Sequence, residues 1–150
     1  MSKAAKKNPS LEAYSALIGK WKTVGTHPLL PNITLNGETT FEWLEKGAFV
    51  IMRNHISHRD FPDGIAIIGS DDSDKEHSMI YFDERKVSRK YVSTIKGNVW
   101  KYWRKDKKFS QRFRCEIKDA GRTIISSGEM SRNGKSWEKD LQLVYSRILR

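Results

Sequence analysis

Glu38, Arg53 and His55 are the residues of this chain whose types and spacing most resemble proton-transfer chemistry. A carboxylate, a guanidinium and an imidazole on one surface can hold and pass a proton. They converge only if their segments pair as a hairpin around Lys46-Gly47. In the register which that turn dictates they share the face opposite an aromatic row, where such groups form ordinary ion pairs in water. An enzyme built on them needs the register shifted by one, which would turn all three inward. The fingerprints of serine hydrolases, P-loops and dinucleotide sites are absent, so the enzyme reading is the less favoured one.

Metal chemistry finds little support. Of His27, His55, His58 and His77, the pair His55 and His58 is three residues apart, which on a strand points them to opposite faces. Zinc needs three or four convergent ligands. Asp71, Asp72 and Asp74 lack the spacing and the glycine of a calcium loop. No metal and no cofactor are predicted. Cys115 is the one cysteine. It forbids an internal disulfide, which fits a reducing compartment, and is expected inward beside Phe113 as an inert core thiol.

The net charge of +10 is concentrated. Between Arg85 and Arg114 there are twelve Lys and Arg against one acid, Asp106. Lys101, Arg112 and Arg114 are expected to project outward from adjacent strands, with Trp103 among them. Basic groups interleaved with aromatics can bind single-stranded nucleic acid through phosphates and stacking. A solvated basic face is the plainer reading, so weak polyanion binding is the most that this stretch predicts.

These residues must be positioned by strands. Asn133-Gly134 lies between two alternating runs and reads as a two-residue hairpin turn. Closing it on Arg132 and Lys135 puts Met130 opposite Trp137, Ser126 opposite Leu141 and Ile124 opposite Leu143 on a packed face continued by Tyr145 and Arg147. Ser127 and Asp140, Glu129 and Glu138 then share a wet face. Turn chemistry at Lys46-Gly47 pairs Phe41 with Met52, Trp43 with Val50 and Thr39 with Asn54. Gly97-Asn98 pairs Ile95 with Trp100 and Ser93 with Tyr102. A four-residue loop over 105–108 pairs Tyr102 with Gln111 and Trp100 with Phe113. Nine breaker clusters recur from His27 to Lys135, and they leave about ten short strands with period two. Leu11 to Ile18 is the one expected helix, capped by Ser10 and ended by Gly19. The fold class is therefore all-β, an antiparallel up-and-down barrel of about ten strands with a short N-terminal helix. Residues 1–10 are expected to be a flexible basic tail, and 11–150 a single barrel domain. The N-terminus has no apolar stretch of a secretory signal, and no run approaches a membrane span, so a cytoplasmic location is expected. Asn32-Ile33-Thr34 is then an idle sequon. The oligomeric state, monomer or homodimer, stays open.

Leu17-Ile-Gly-Lys-Trp21 resembles the first-strand Gly-x-Trp of lipocalin-type (calycin) barrels. Phe41-Glu-Trp-Leu44, Ile67-Ile-Gly-Ser-Asp71, Tyr81-Phe-Asp83 and Glu129 to Trp137 through Tyr145-Ser-Arg147 look like a family of small, functionally uncharacterised bacterial barrels. That family is related in shape to nitrobindins and fatty-acid-binding proteins. The resemblance covers roughly 17–147. It implies an interior cavity and no catalytic activity. Nitrobindin-like barrels hold haem through a histidine near the chain end. The last histidine here is His77, so haem does not carry over.

Closure should bring Trp21 and Arg147 together as a cation–π plug at one barrel end, leaving the mouth at the other. The inward face mixes aromatics with sparse polar groups, which suits a pocket better than a dry core. Trp43, Met52, Trp100 and Trp137 are the expected apolar walls. Asn54, Tyr91, Tyr102 and Gln111 are expected to orient a small hydrophobic or aromatic ligand.

Overall fold

The computed structural model describes residues 7–72 and 75–149. A 3₁₀ helix, Pro9–Leu17, precedes ten strands: β1 Gly19–His27, β2 Leu30–Leu44, β3 Phe49–Ile56, β4 Gly64–Ser70, β5 His77–Asp83, β6 Ser88–Lys96, β7 Val99–Arg104, β8 Ser110–Lys118, β9 Thr123–Ser131 and β10 Glu138–Arg147. Each strand pairs antiparallel with its sequence neighbour, and β1 pairs with β10, so the sheet closes with no free edge. Each of the nine breaker clusters coincides with a junction between consecutive strands. No helix among the described residues is long and apolar enough to cross a membrane.

The expected tail divides. Residues 1–6 lie outside the described set, whereas Asn8, Pro9 and Ser10 belong to the helix and its cap. Asn8, not Ser10, is the cap: its side chain accepts the Ser10 N–H, and Pro9 sits where a missing amide proton costs nothing. The Asn8 amide donates to Ser70 Oγ at 2.8 Å, and its backbone N–H donates to the Gly47 carbonyl at 2.7 Å. These bonds tie the helix across one barrel end, where it buries Leu11, Tyr14 and Leu17.

Arg147 completes that plug. Its guanidinium lies 4.1 Å above the Trp21 ring and donates to the carbonyls of Ile18, Ala16 and Gly121 at 2.6, 2.8 and 3.0 Å. Trp21 Nε1 donates to the Leu17 carbonyl at 2.8 Å. Gly19 permits the crossing: its φ is +135°, and a Cβ there would lie 2.5 Å from Arg147 Nη1.

The β2–β3 and β6–β7 registers match the turn chemistry pair for pair, including Phe41–Met52 and Ile95–Trp100. In β7–β8 the expected pairs are off by two, because the Asp106 carboxylate accepts the N–H groups of Lys108 and Phe109 and builds a longer loop. Tyr102 thus faces Phe113, Trp100 faces Cys115, and Lys101 faces Arg114. A slip of two leaves every side chain on its face.

The β9–β10 hairpin needs more correction. Asn133 Oδ1 accepts from the backbone of Lys135 and Ser136, Ser131 Oγ accepts from Gly134, and only Gly134 has positive φ. The connection is therefore a side-chain-braced loop over 132–137 and not a two-residue turn. Farther on, the pairing jumps from Lys139↔Glu129 to Gln142↔Ser127, so Asp140 and Leu141 together oppose Gly128. This bulge suspends the alternation. Ser126 faces Leu143 and Ile124 faces Tyr145, still inward, while Asp140 leaves the wet face and is buried.

Candidate ligand cavity

The barrel interior has two halves. Toward the helix, Leu11, Tyr14, Leu17, Trp21, Phe41, Val50, Ile68, Trp100, Cys115 and Ile124 pack solidly. Toward the other end, a cavity of about 600 Å³ opens among the β1–β2, β3–β4, β5–β6 and β9–β10 connections. Its wall is apolar and aromatic: Met52, Ala66, Met79, Tyr81, Tyr91, Tyr102, Phe113, Leu141, Leu143 and Tyr145, with Thr23, Thr39, Asn54, Gln111 and Ser126 between them.

Five of the eight residues expected to bind ligand line this space: Met52, Asn54, Tyr91, Tyr102 and Gln111. The three tryptophans do not. Trp43 is inward but too close to the plugged end, where Lys7 lies over its ring at 5.4 Å. Trp100 is buried beneath the cavity, edge-on to Phe41, with its Nε1 donating to Ser93 Oγ at 2.9 Å. Trp137 is a correction of face: the six-residue loop carries it outside, where the Arg112 guanidinium covers its ring at 3.8 Å.

A hydrogen-bonded chain crosses the cavity wall. The Tyr91 hydroxyl donates to Gln111 Oε1, and Gln111 Nε2 donates to Asp140 Oδ2 at 2.9 Å. Asp140 Oδ1 also accepts the Leu141 N–H at 2.8 Å and lies 3.1 Å from His27 Nε2. The Leu29 N–H points at His27 Nδ1 at 3.1 Å. The tautomer with its proton on Nε2 meets both contacts, Nε2 donating to Asp140 and Nδ1 accepting from Leu29. Both of its ring nitrogens are thereby engaged. Asp140 and His27 were missed as site residues because strict alternation placed the aspartate in water.

Burial raises the pKa values of Tyr91, Tyr102 and Tyr145, so these hydroxyls are neutral hydrogen-bonding groups. The Tyr102 ring stacks on Phe113 at 4.7 Å, and its hydroxyl has no hydrogen-bond partner among the described residues.

The remaining candidates lie elsewhere. His77 is at the closed end, with Nδ1 2.9 Å from the Tyr14 hydroxyl. Among the described residues no three His, Cys, Asp or Glu side chains converge as metal ligands. Glu38, Arg53 and His55 point outward and pair with three different partners, Lys20, Glu42 and Asp63, at 3.5, 3.7 and 2.6 Å. The inward register that the enzyme reading requires does not occur. Cys115 is fully buried, and its thiol is pushed up to about 12 chiefly by that burial. On the outer face Lys101, Trp103, Arg112 and Arg114 share one groove with Trp137, with Arg112 bound to Glu129 at 2.9 Å and Arg114 to Glu116 at 3.2 Å.

The fold is a closed, ten-stranded antiparallel β-barrel, and solved structures share it. Rv2717c from M. tuberculosis is similar with a TM-score of 0.68 and 14% identity over 96% of this chain and 100% of that one. The S-type phycobiliprotein lyase CPES from Guillardia theta is similar with a TM-score of 0.62 and 8% identity over 93% of this chain and 92% of that one. At such identities the likeness is one of fold. No family model and no curated protein sequence matches the chain.

Proposed function

We propose that this barrel binds a small, largely apolar or aromatic molecule in its interior cavity. One observation carries the reading: about 600 Å³ of space, open at one end and walled by aromatic and aliphatic side chains with a few oriented polar groups. That is the size and composition of ordinary ligand pockets. Met52, Met79, Phe113 and Leu143 would supply apolar contact, and Asn54, Tyr102 and the Tyr91–Gln111–Asp140 chain would fix orientation. The likeness in fold to a phycobiliprotein lyase is consistent with a small-molecule role. Native mass spectrometry of freshly purified protein, with tryptophan-fluorescence titration by fatty acids, aromatic dyes and haem, tests it. Binding at micromolar concentration is expected, and failure of every compound to bind would remove the reading.

A second reading rests on the outer groove. Trp137 joins Trp103 there, so two indoles lie among Lys101, Arg112 and Arg114. This supports weak, sequence-independent contact with a polyanion.

A further inference from the structure

The inward-facing rows continue past the cavity wall to the mouth, and they end in arginine. Arg89 lies two residues before Tyr91 on β6, and Arg104 lies two after Tyr102 on β7. Arg132 follows Met130 off the end of β9, and Arg85 follows Asp83 in the β5–β6 connection. Arg85, Arg89 and Arg132 line the cavity.

Their partners differ. Arg85 is occupied: its Nε and Nη2 hold Asp83, which also accepts from the Tyr81 hydroxyl at 2.7 Å. That carboxylate has no exposed side-chain surface, and the Arg85 hydrogen bonds hold its pKa down at about 2. Arg89 and Arg104 are not locked to a carboxylate in this way: Arg89 bonds the Tyr91 hydroxyl, and Arg104 only feels the field of Asp106. Both lie over the Phe109 ring, at 4.8 and 5.6 Å. Neither they nor Arg132 has a carboxylate within ion-pair distance among the described residues. The nearest interior acid, Asp140, is already satisfied by His27, Gln111 and the Leu141 N–H. Two guanidinium groups gathered at one ring repel each other, and an anion bound near them relieves that repulsion.

Building on the reading of the cavity as a ligand site, we propose that the ligand is an amphipathic anion. Its apolar or aromatic body fills the cavity, and its acidic group is held at the mouth by Arg89 and Arg132, beside Arg104. Guanidinium is the side chain best suited to a carboxylate or phosphate, because its planar fork gives two parallel charge-assisted bonds. A cationic ligand is disfavoured by Arg89, Arg104 and Arg132, which have no carboxylate within ion-pair distance among the described residues.

The test uses one aromatic skeleton with and without an acid. The wild-type protein is titrated with 1-anilinonaphthalene-8-sulfonate and with the neutral N-phenyl-1-naphthylamine. The sulfonate is expected to bind about ten-fold more tightly or better, as one charge-assisted contact allows. In Arg89→Gln/Arg132→Gln, shown to be folded by its thermal transition, that preference should collapse toward parity while the neutral compound binds as before. Lys22→Gln, exposed on β1 outside both the cavity and the outer groove, should change neither. Displacement of the neutral compound by decanoate, decyl phosphate and decanol separates a carboxylate from a phosphate, with the alcohol as uncharged control. Equal wild-type affinities for the two naphthalenes overturn the inference and leave the cavity reading standing. So does a preference that survives the double change. Failure of both to bind removes the cavity reading and the inference with it.

Discussion

Gly128 lies opposite the Asp140–Leu141 bulge, and a Cβ at Gly128 would stand 2.8 Å from the Leu141 carbonyl oxygen and 2.5 Å from the Phe113 ring. The missing side chain makes room for the extra residue on β10. That residue turns Asp140 into the cavity, so a glycine on one strand sets the direction of a carboxylate on the next. Gly128→Ala must move either the bulge backbone or the stacked Phe113. We expect a loss of about 1–3 kcal/mol, the usual penalty of overpacking, together with several-fold weaker binding of a neutral aromatic compound. A thermal melt and a fluorescence titration check both, and wild-type values in both would show that the bulge does not depend on this glycine.

Arg147 is held by three backbone carbonyls and one indole face, and it joins the helix, β1 and the β8–β9 turn. Arg147→Lys keeps the charge but loses the fork, so it cannot reach all three carbonyls. We expect a cost of about 2–3 kcal/mol for lysine and more for alanine, since the orphaned carbonyls keep their desolvation penalty. Urea midpoints measure this. Because the plug lies at the end away from the cavity, binding to the residual folded protein should be unchanged. A lysine variant as stable as wild type would mean that the cation–π contact, and not the fork, carries the closure.

Much of this architecture was written in local chemistry. Glycine, proline, asparagine and aspartate clusters mark the breaks between strands, and turns at Lys46-Gly47 and Gly97-Asn98 fix two registers to the residue. Period two tells inside from outside, but it carries no information on height along the barrel. For that reason Trp43 and Trp100 are expected in the cavity and instead lie beyond its floor, toward the plugged end. A bulge breaks period two without a sequence mark of its own, and it hid Asp140. The braced loop after Ser131 likewise sent Trp137 to the wrong face. Two of the mouth arginines are within reach of the same counting, Arg89 two residues before Tyr91 and Arg104 two after Tyr102.

The outer groove makes its own prediction. Lys101 and Arg112 lie on the solvent side of β7 and β8, with Arg112 capping Trp137. Any single-stranded oligonucleotide bound there should dissociate as salt rises, with a log–log slope of about −0.7 per phosphate neutralised. Lys101→Glu/Arg112→Glu should abolish binding and leave the fold intact, because neither residue contributes to the interior. Gel shift or anisotropy at several salt concentrations decides it. Sub-micromolar binding to one sequence at physiological salt, surviving the double change, would place recognition on some other surface.

The last expectation concerns alkaline pH. Burial pushes the Cys115 thiol from 9.0 up to about 12, and it pushes the Tyr14 hydroxyl from 10.0 to about 12 against a hydrogen bond from Ser93 that lowers it. Both pKa values are raised in the folded state, as are those of Tyr81, Tyr91, Tyr102 and Tyr145, so the folded chain holds protons that the unfolded chain releases earlier. The contribution of Cys115 and Tyr14 is complete below about pH 9 and declines from there to about pH 12. The decline approaches about 1.4 kcal/mol per pH unit for each group once its unfolded form is ionised. Urea midpoints should therefore be level from pH 7 to 8.5 and fall steadily by pH 10.5. Cys115→Ala should be less stable at pH 7, through its cavity, and should show a shallower alkaline slope. Iodoacetamide offers an independent measure: at pH 8 the native thiol should stay unmodified for hours and react within minutes in urea. Rapid labelling of the folded protein would mean that the packed half of the barrel opens far more often than its burial implies.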